Sequence, residues 1–324
     1  MLEETIERVR PLISIDNVRI VTGESMAQMV LESTDYLQEK HVLAEPFGRN
    51  TGLAIALAAV HLYQTDQKAV MMVLSADHLI RPAEKLLKVL EEGSRIASRE
   101  EMLITIGIVP SRPETAYGYV KLGGEYECEG DCKVFEVSAF TEKPRAPVAQ
   151  EYYYSRKYFW NSGMFIWSVN AILKAFEKYQ PDSYKHLMTY SKSIGTDREI
   201  SARKELYEKS PDISIDYAIL EKADNVLAIR ADILWDDVGS WKALERYKER
   251  DSDNNVIVGN AATFETFETT VYNDSSELVA CLGVSDLVVV RSSDITLVAH
   301  KSKLGRIKDL LAMLGEDEKT RGFL

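Results

Sequence analysis

The apolar positions of this chain fall in blocks whose spacing switches between the helical and the strand period. Leu2, Ile6, Val9 and Ile13 recur at helical spacing, and the run 18–21 then reads as a short strand ended by Thr22-Gly23. A second helix is predicted over 25–37 and a strand over 42–44. Residues 50–63 are alanine-rich and apolar on nearly every side, which predicts a buried helix. Residues 69–74 are apolar on both faces, as strands of parallel sheets are. Pro82 suits the first position of a helix running to about residue 97, and 102–109 follows as another buried strand. The alternation predicts an α/β fold, a parallel sheet covered by helices on both faces.

After Pro110 the rhythm changes. Residues 117–122 and 134–141 read as a hairpin-like pair of strands. Helices are predicted over 148–157, 169–179, 201–209 and 214–223, before a strand over 226–234 returns to the sheet. Beyond a polar stretch at 251–255 come short β runs at 256–258, 269–272, 278–281, 287–290 and 295–299. A final helix over 304–314 ends at Gly315. The pattern divides the chain into a domain over 1–252 and a short β-rich region over 253–324 that ends in a helix.

Charge narrows the partners. With 39 basic and 51 acidic residues the net charge is -12, and no basic stretch could displace the counterions of a nucleic acid. Nucleotides stay open, because local cations, backbone amides and metal ions hold them. Three cysteines in 324 residues point to a reducing compartment. Cys128-Glu-Gly-Asp-Cys132 lacks the usual metal-ligand spacing and a second ligand pair, so a plain turn is expected. No apolar run reaches membrane-spanning length, and Met1-Leu2-Glu3-Glu4-Thr5 has no signal-peptide pattern, so a cytoplasmic protein with no membrane partner is expected.

The candidate chemistry sits where buried strands end, which is where open α/β sheets bind ligands. Asp77, in Leu74-Ser75-Ala76-Asp77-His78, closes one apolar run. Asp237, in Trp235-Asp236-Asp237-Val238-Gly239-Ser240-Trp241, closes another. Two such carboxylates meeting across a cleft can hold Mg²⁺ against a substrate phosphate. His78 beside Asp77 reads as a structural hydrogen-bonder rather than a general base. Glu45, ahead of Gly48-Arg49-Asn50-Thr51, could accept from the adjacent N1–H and 2-amino donors of a guanine; equally, Glu45 could cap the following helix with Asn50 as its N-cap. Glu142-Lys143, displayed before Pro144, pairs a hydroxyl acceptor with a phosphate-seeking ammonium. Asn161 in Trp160-Asn161-Ser162-Gly163 could bind a sugar hydroxyl, or simply form a turn ahead of a strand, and Tyr117-Gly118-Tyr119 is equally two-sided.

Taken in order, these segments, with Arg112-Pro113-Glu114-Thr115 and Ser214-Ile215-Asp216-Tyr217-Ala218, resemble the bacterial mannose-1-phosphate guanylyltransferases over nearly the whole chain. The resemblance implies a Rossmann-like nucleotidyltransferase sheet with a small C-terminal β-helix-like region, and the synthesis of GDP-mannose and pyrophosphate from GTP and mannose 1-phosphate. It implies that Asp77 and Asp237 hold Mg²⁺, and that Glu45 reads guanine beside a nucleotide pocket formed by Arg49, Asn50 and Thr51. Glu142 and Asn161 would hold sugar hydroxyls, Gly118 the sugar through its backbone, and Lys143 the sugar phosphate. Members of the family often dimerise.

Three departures stand against that pattern. Ser75 replaces a proline, and Gly52-Leu53-Ala54 replaces Ala-Pro-Ala. The family's opening strand and glycine-rich, arginine-bearing phosphate loop have no counterpart here, which should leave apolar edges on the neighbouring strands. Two alternatives follow. One is a related sugar nucleotidyltransferase for another base or sugar, which Glu45 and the Trp235 to Trp241 pattern disfavour. The other is a non-catalytic or partner-dependent homologue that keeps the sugar and metal half of the site.

Overall fold

The structure, a computed structural model, describes residues 1–239 and 241–323, without the side chain of Lys242; Ser240 of the acidic Trp-rich turn lies outside the described residues. The chain divides into two compact units, Met1–Asp237 and Val238–Leu324.

The first unit runs α1 (Leu2–Val9), β1 (Ile20–Gly23), α2 (Glu24–Glu32), β2 (Val42–Glu45), α3 (Asn50–Thr65), β3 (Val70–Val73), β4 (Leu79–Arg81), α4 (Ala83–Arg99), β5 (Leu103–Ile108), β6 (Gly118–Tyr126), β7 (Val134–Thr141), α5 (Ala146–Ser155), β8 (Tyr158–Ser168), α6 (Val169–Tyr179), α7 (Pro181–Ser191), α8 (Glu199–Lys209), β9 (Val226–Ala231) and β10 (Leu234–Asp236). Its main sheet has six strands in the order β3-β8-β5-β9-β7-β6. Two parallel strands, β1 and β2, form a separate pair.

The main sheet corrects the expected parallel architecture. Only β5 and β9 run parallel within it; β3–β8, β5–β8, β7–β9 and β6–β7 are antiparallel. Apolar residues on both faces of a strand report burial on both sides, not strand direction. That burial is real. On β8, Phe165 and Trp167 enter one core with α3 and α6, while Met164 and Ile166 enter another with α4. Alternate side chains point to opposite faces, so a strand between two helical layers reads as a continuous apolar run. Along α3, Leu57, Ala59 and Val60 are wholly buried, each large side chain contributing about 1.5–3 kcal/mol.

Other predicted elements shift. The strand over 226–234 breaks into β9 and the separate β10, which pairs antiparallel with β4. The helix over 25–37 stops at Glu32, and the one over 214–223 is a short wide turn over Asp216–Leu220. α7 and β4 had no sequence counterpart.

The outer edges of β1 and β3 carry no ladder partner among the described residues and open on one cavity of about 390 Å³. Apolar side chains of α1, β1, α3 and β3 line most of it, and it reaches Thr51, Ser75, Ala76 and Gly163.

The second unit comprises α9 (Trp241–Tyr247), β11 (Val256–Val258), β12 (Ala261–Phe264), β13 (Thr270–Asn273), β14 (Val279–Leu282), β15 (Leu287–Ser292), β16 (Ile295–His300) and α10 (Ile307–Glu316). Parallel ladders stack β11 on β13 on β15 and β12 on β14. Ala261 pairs with Val279, Phe267 with Ser285 and Thr270 with Val288, each an advance of eighteen residues (279 − 261, 285 − 267, 288 − 270). The β11 to β13 step is shorter, fourteen residues from Val256 to Thr270 (270 − 256). Parallel stacking of successive turns is a β-helix coil. Asn255, buried inside it, donates to Thr266 O and accepts from Thr269 N, satisfying backbone groups that the coil's corners leave unpaired. Antiparallel β16 ends the stack.

Candidate active site

Register builds the first half of the site. β4 and β10 pair so that Asp236 faces Leu79 and Trp235 faces Ile80. Asp237 follows Asp236 directly, and Asp77-His78 precedes Leu79. The two acidic turns therefore lie at one end of one ladder, although 160 positions separate them (237 − 77).

His78 reports their proximity. Burial lowers its pKa, while the charges of Asp77, Asp237 and Asp236 pull the other way, with Arg8 opposing them. Trp235 Nε1 donates to His78 Nδ1 at 3.1 Å, so Nδ1 is an acceptor and the neutral ring is fixed in place. The Tyr117 hydroxyl donates to Asp237 Oδ1 at 3.1 Å. From α1, Thr5 donates to Ala76 O at 3.2 Å and Arg8 to His78 O at 3.5 Å, pinning the Asp77 turn.

Among the described residues no three His, Cys, Asp or Glu side chains form a metal cluster. Two hard carboxylates nonetheless fit Mg²⁺, which is bound through one or two carboxylates with phosphates and waters completing the shell.

The second half of the site forms where β6 and β8 meet. Gly118 faces Asn161 across the ladder, and Tyr119 faces Trp160. A Cβ on Gly118 would sit 2.5 Å from Glu142 Oε2 and 3.4 Å from Asn161 Cβ, so Gly118, Glu142 and Asn161 converge. Asn161 is buried; Thr105 donates to its Oδ1 at 2.8 Å, and its Nδ2 donates to Asp216 at 2.7 Å. Burial, then the charge of Glu142, pushes the Asp216 carboxyl up. Lys143 lies in the left-handed region at φ 43°, with its ammonium 3.2 Å from Glu142 and largely exposed. Asn161-Ser162-Gly163 is not a turn but the middle of β8, where Ser162 donates to Ile106 O at 2.7 Å.

The third group surrounds Glu45 at the end of β2. Tyr207, on α8, donates to Glu45 Oε1 at 2.9 Å. Burial raises the Glu45 pKa and this bond lowers it. Arg49 Nε donates to Tyr207 O at 3.0 Å, and its guanidinium lies 5.1 Å from the Phe47 ring centroid.

The helix-capping alternative for Asn50 is corrected. The N-cap of α3 is Arg49; Asn50 lies at φ 59° and accepts from Thr51 N at 3.0 Å. Thr51 accepts from Ile215 N at 3.0 Å, tying this group to the Asp216 segment. Gly52 serves close approach rather than backbone freedom, since a Cβ there would lie 2.6 Å from Ile213 O.

Hydrogen bonds, one ladder pair and adjacency along the chain thus link the three groups: Glu45 and Arg49 through Tyr207, Thr51 to Ile215, Asp216 to Asn161, Asn161 opposite Gly118, and Tyr117 to Asp237. Sequence reasoning gave no role to Tyr207, Asp216 or Arg112. Arg112 Nη2 is 3.8 Å from Asp236, and the guanidinium centre is 5.0 Å from the Trp160 ring. Its signal was Arg112-Pro113-Glu114, a charge pair in a turn, with Nε donating to Glu114 at 3.0 Å.

Residues 1–254 match the nucleotidyl transferase family and residues 251–314 the MannoseP isomerase/GMP-like beta-helix domain. The chain is 34% identical to the mannose-1-phosphate guanylyltransferase of Salmonella montevideo over 96% of this chain and 66% of that protein. It is 33% identical to the putative mannose-1-phosphate guanylyltransferase of Vibrio cholerae serotype O1, covering 99% of this chain and 68% of the relative. The chain thus spans about two thirds of the length of these curated relatives. The crystal structure of mannose-1-phosphate geranyltransferase from Thermus thermophilus superposes with a TM-score of 0.82 at 32% identity, covering 97% of this chain and 88% of that one. No helix among the described residues is long and apolar enough to cross a membrane.

Proposed function

The chain belongs to the mannose-1-phosphate guanylyltransferase family, and we propose that it makes GDP-mannose and pyrophosphate from GTP and mannose 1-phosphate. The observation that carries this reading is the β4–β10 register, which brings Asp77 and Asp237 to one end of one ladder. In this reading residues 1–252 form the transferase domain and 253–324 the β-rich appendage.

Glu45 accepts from the guanine edge, with Arg49, Asn50 and Thr51 lining the nucleotide side. Glu142 and Asn161 hold mannose hydroxyls, and the sugar passes over Gly118 where no Cβ intervenes. Lys143, beside Glu142, meets the sugar phosphate. A phosphate oxygen of mannose 1-phosphate attacks the α-phosphorus in line; that P–O bond forms as the bond to the β-phosphate oxygen breaks and pyrophosphate leaves. Asp77 and Asp237 would hold Mg²⁺, which when bound would neutralise the charge that develops on the phosphoryl oxygens. Tyr117 and Trp235 hold Asp237 and His78 in position, so little reorganisation is needed as charge moves.

Pyrophosphate release from GTP and mannose 1-phosphate tests the reading. Turnover should require a divalent cation, and Asp237→Asn should reduce it at least about a thousandfold with an unchanged melting temperature. Full activity of Asp237→Asn would refute the metal role.

A second reading, a homologue that binds but turns over only with a partner's help, is favoured by the open β1 and β3 edges around an apolar cavity. Turnover by the chain alone would dismiss it. The three unpaired cysteines support a cytoplasmic setting. A homodimer is supported by the β-helix unit, where Phe264 and Leu282 pair in register, 68% and 70% exposed. A monomer in sedimentation at tens of micromolar would remove it.

A further inference from the structure

A second cavity of the first unit, about 630 Å³, lies between α7 and α8, and none of the catalytic candidates lines it. Its rim carries Lys185, His186, Arg198 and Lys209, with Thr189 and Ser201 among the hydroxyls. Among the described residues Glu205 is the one acidic side chain in the lining, and it pairs with Lys209. Three lysine and arginine charges against one carboxylate leave the lining at +2 (3 − 1), in a chain of net charge -12. Among the described residues neither Lys185 nor Arg198 has an ion-pair partner. Arg198 is also the N-cap of α8, the end of the helix dipole that favours an anion.

A concave volume of this size suits a small molecule rather than a polymer. Lysine, arginine and hydroxyl donors converging on it suit a tetrahedral dianion better than a single carboxylate.

The far wall of the cavity leads to Glu45. Tyr190 lines it, and its hydroxyl lies 2.7 Å from His61 Nε2 and accepts from Arg203 Nε at 3.3 Å. Arg203 also donates to Ala44 O at 3.0 Å, and Tyr207, one turn further along α8, donates to Glu45. A ligand held between Lys185 of α7 and Arg198 at the start of α8 acts on the helix that holds the Ala44-Glu45 strand end.

We propose that the α7–α8 cavity is an effector site for a small phosphate monoester and that its occupancy alters guanine-nucleotide affinity through α8. The coupling rests on the guanine role of Glu45; the binding does not.

The test uses the full chain, phenyl phosphate as probe and benzoate as the monoanionic control. Phenyl phosphate should shift the His186 imidazole NMR signal saturably, and benzoate should not. The exposed double variant Lys185→Gln/Arg198→Gln should lose the shift. No shift, an equal shift with benzoate, or a shift that survives in the double variant overturns the site. GDP affinity, measured calorimetrically, should change roughly fivefold or more with phenyl phosphate in the unsubstituted chain and remain constant in the double variant. A GDP affinity that ignores the probe while His186 responds overturns the coupling. Absence of GDP binding under all conditions overturns the guanine reading and with it the coupling, and leaves the His186 result to decide the site.

Discussion

The Tyr117 hydroxyl donates to Asp237 Oδ1 at 3.1 Å, joining residues 120 positions apart. Tyr117 is buried, packed 5.2 Å from Trp160 and 4.8 Å from Trp235 between ring centroids. The aromatic packing fixes the phenol, and the phenol orients the carboxylate. Tyr117→Phe keeps the packing and removes this bond, which to a charged acceptor is worth about 1.5–3 kcal/mol. Turnover should fall about 10- to 100-fold, and the activating metal concentration should rise. Metal-titration curves of pyrophosphate release check this; unchanged turnover and metal dependence would remove Tyr117 from the site.

Gly118 tests the sugar side separately. Its added Cβ would lie 2.5 Å from Glu142 Oε2, forcing that carboxylate away from Asn161. Gly118→Ala should raise the KM for mannose 1-phosphate at least tenfold while leaving the KM for GTP within about twofold. Misplacing a positioning group by about 1 Å is enough for such losses. Equal increases in both constants would mean a general distortion rather than a sugar contact.

How much of this was legible in sequence depends on how far each residue's partner lies along the chain. Glu45, Asp77, Glu142 and Asp237 stood out because each follows a buried run, a local signal. Asp216 and Tyr207 did not, because their meaning lies in partners 55 and 162 positions away, Asn161 and Glu45. Asn161-Ser162-Gly163 carries turn residues, yet β8 continues through it because Thr105 and Ile106 O take up its polar groups. Strand direction was hidden for a similar reason: burial on both faces leaves the same apolar run in a parallel or an antiparallel neighbour.

Tyr207 ties nucleotide affinity to pH. Burial raises the Glu45 pKa, and the Tyr207 hydroxyl bond opposes that by favouring the carboxylate. Accepting two guanine donors requires the ionised form. Tyr207→Phe removes the opposing bond, so the Glu45 pKa should rise further. As pH falls from 8 towards 5, GTP affinity in the variant should decline at a higher pH than in the parent chain. The KM for GTP across that range is the measurement; identical pH profiles would detach Glu45 from the base.

His61 sets a stability window outside the catalytic groups. Burial lowers its pKa to about 4; Glu199 pulls it up and Arg203 and Arg19 push it down. The ring sits against Tyr190, whose own pKa burial raises to about 12, so a neutral imidazole meets a neutral phenol. Glu199 stays ionised: although burial acts to raise its pKa, donation from Gly195 N and Arg203 holds it below the usual range. Unfolded, His61 titrates near 6.5, so below that pH the unfolded chain binds the extra proton. Stability from this group is therefore full above about pH 6.5 and declines as pH falls towards 4, where the folded ring also protonates. A shift of this size corresponds to roughly 3 kcal/mol. Urea unfolding at pH 7, 6, 5 and 4 should give a steeper loss in the parent chain than in His61→Gln, with the difference accumulating below pH 6.5. Parallel curves for the two proteins would mean that the imidazole keeps its ordinary pKa in the folded state.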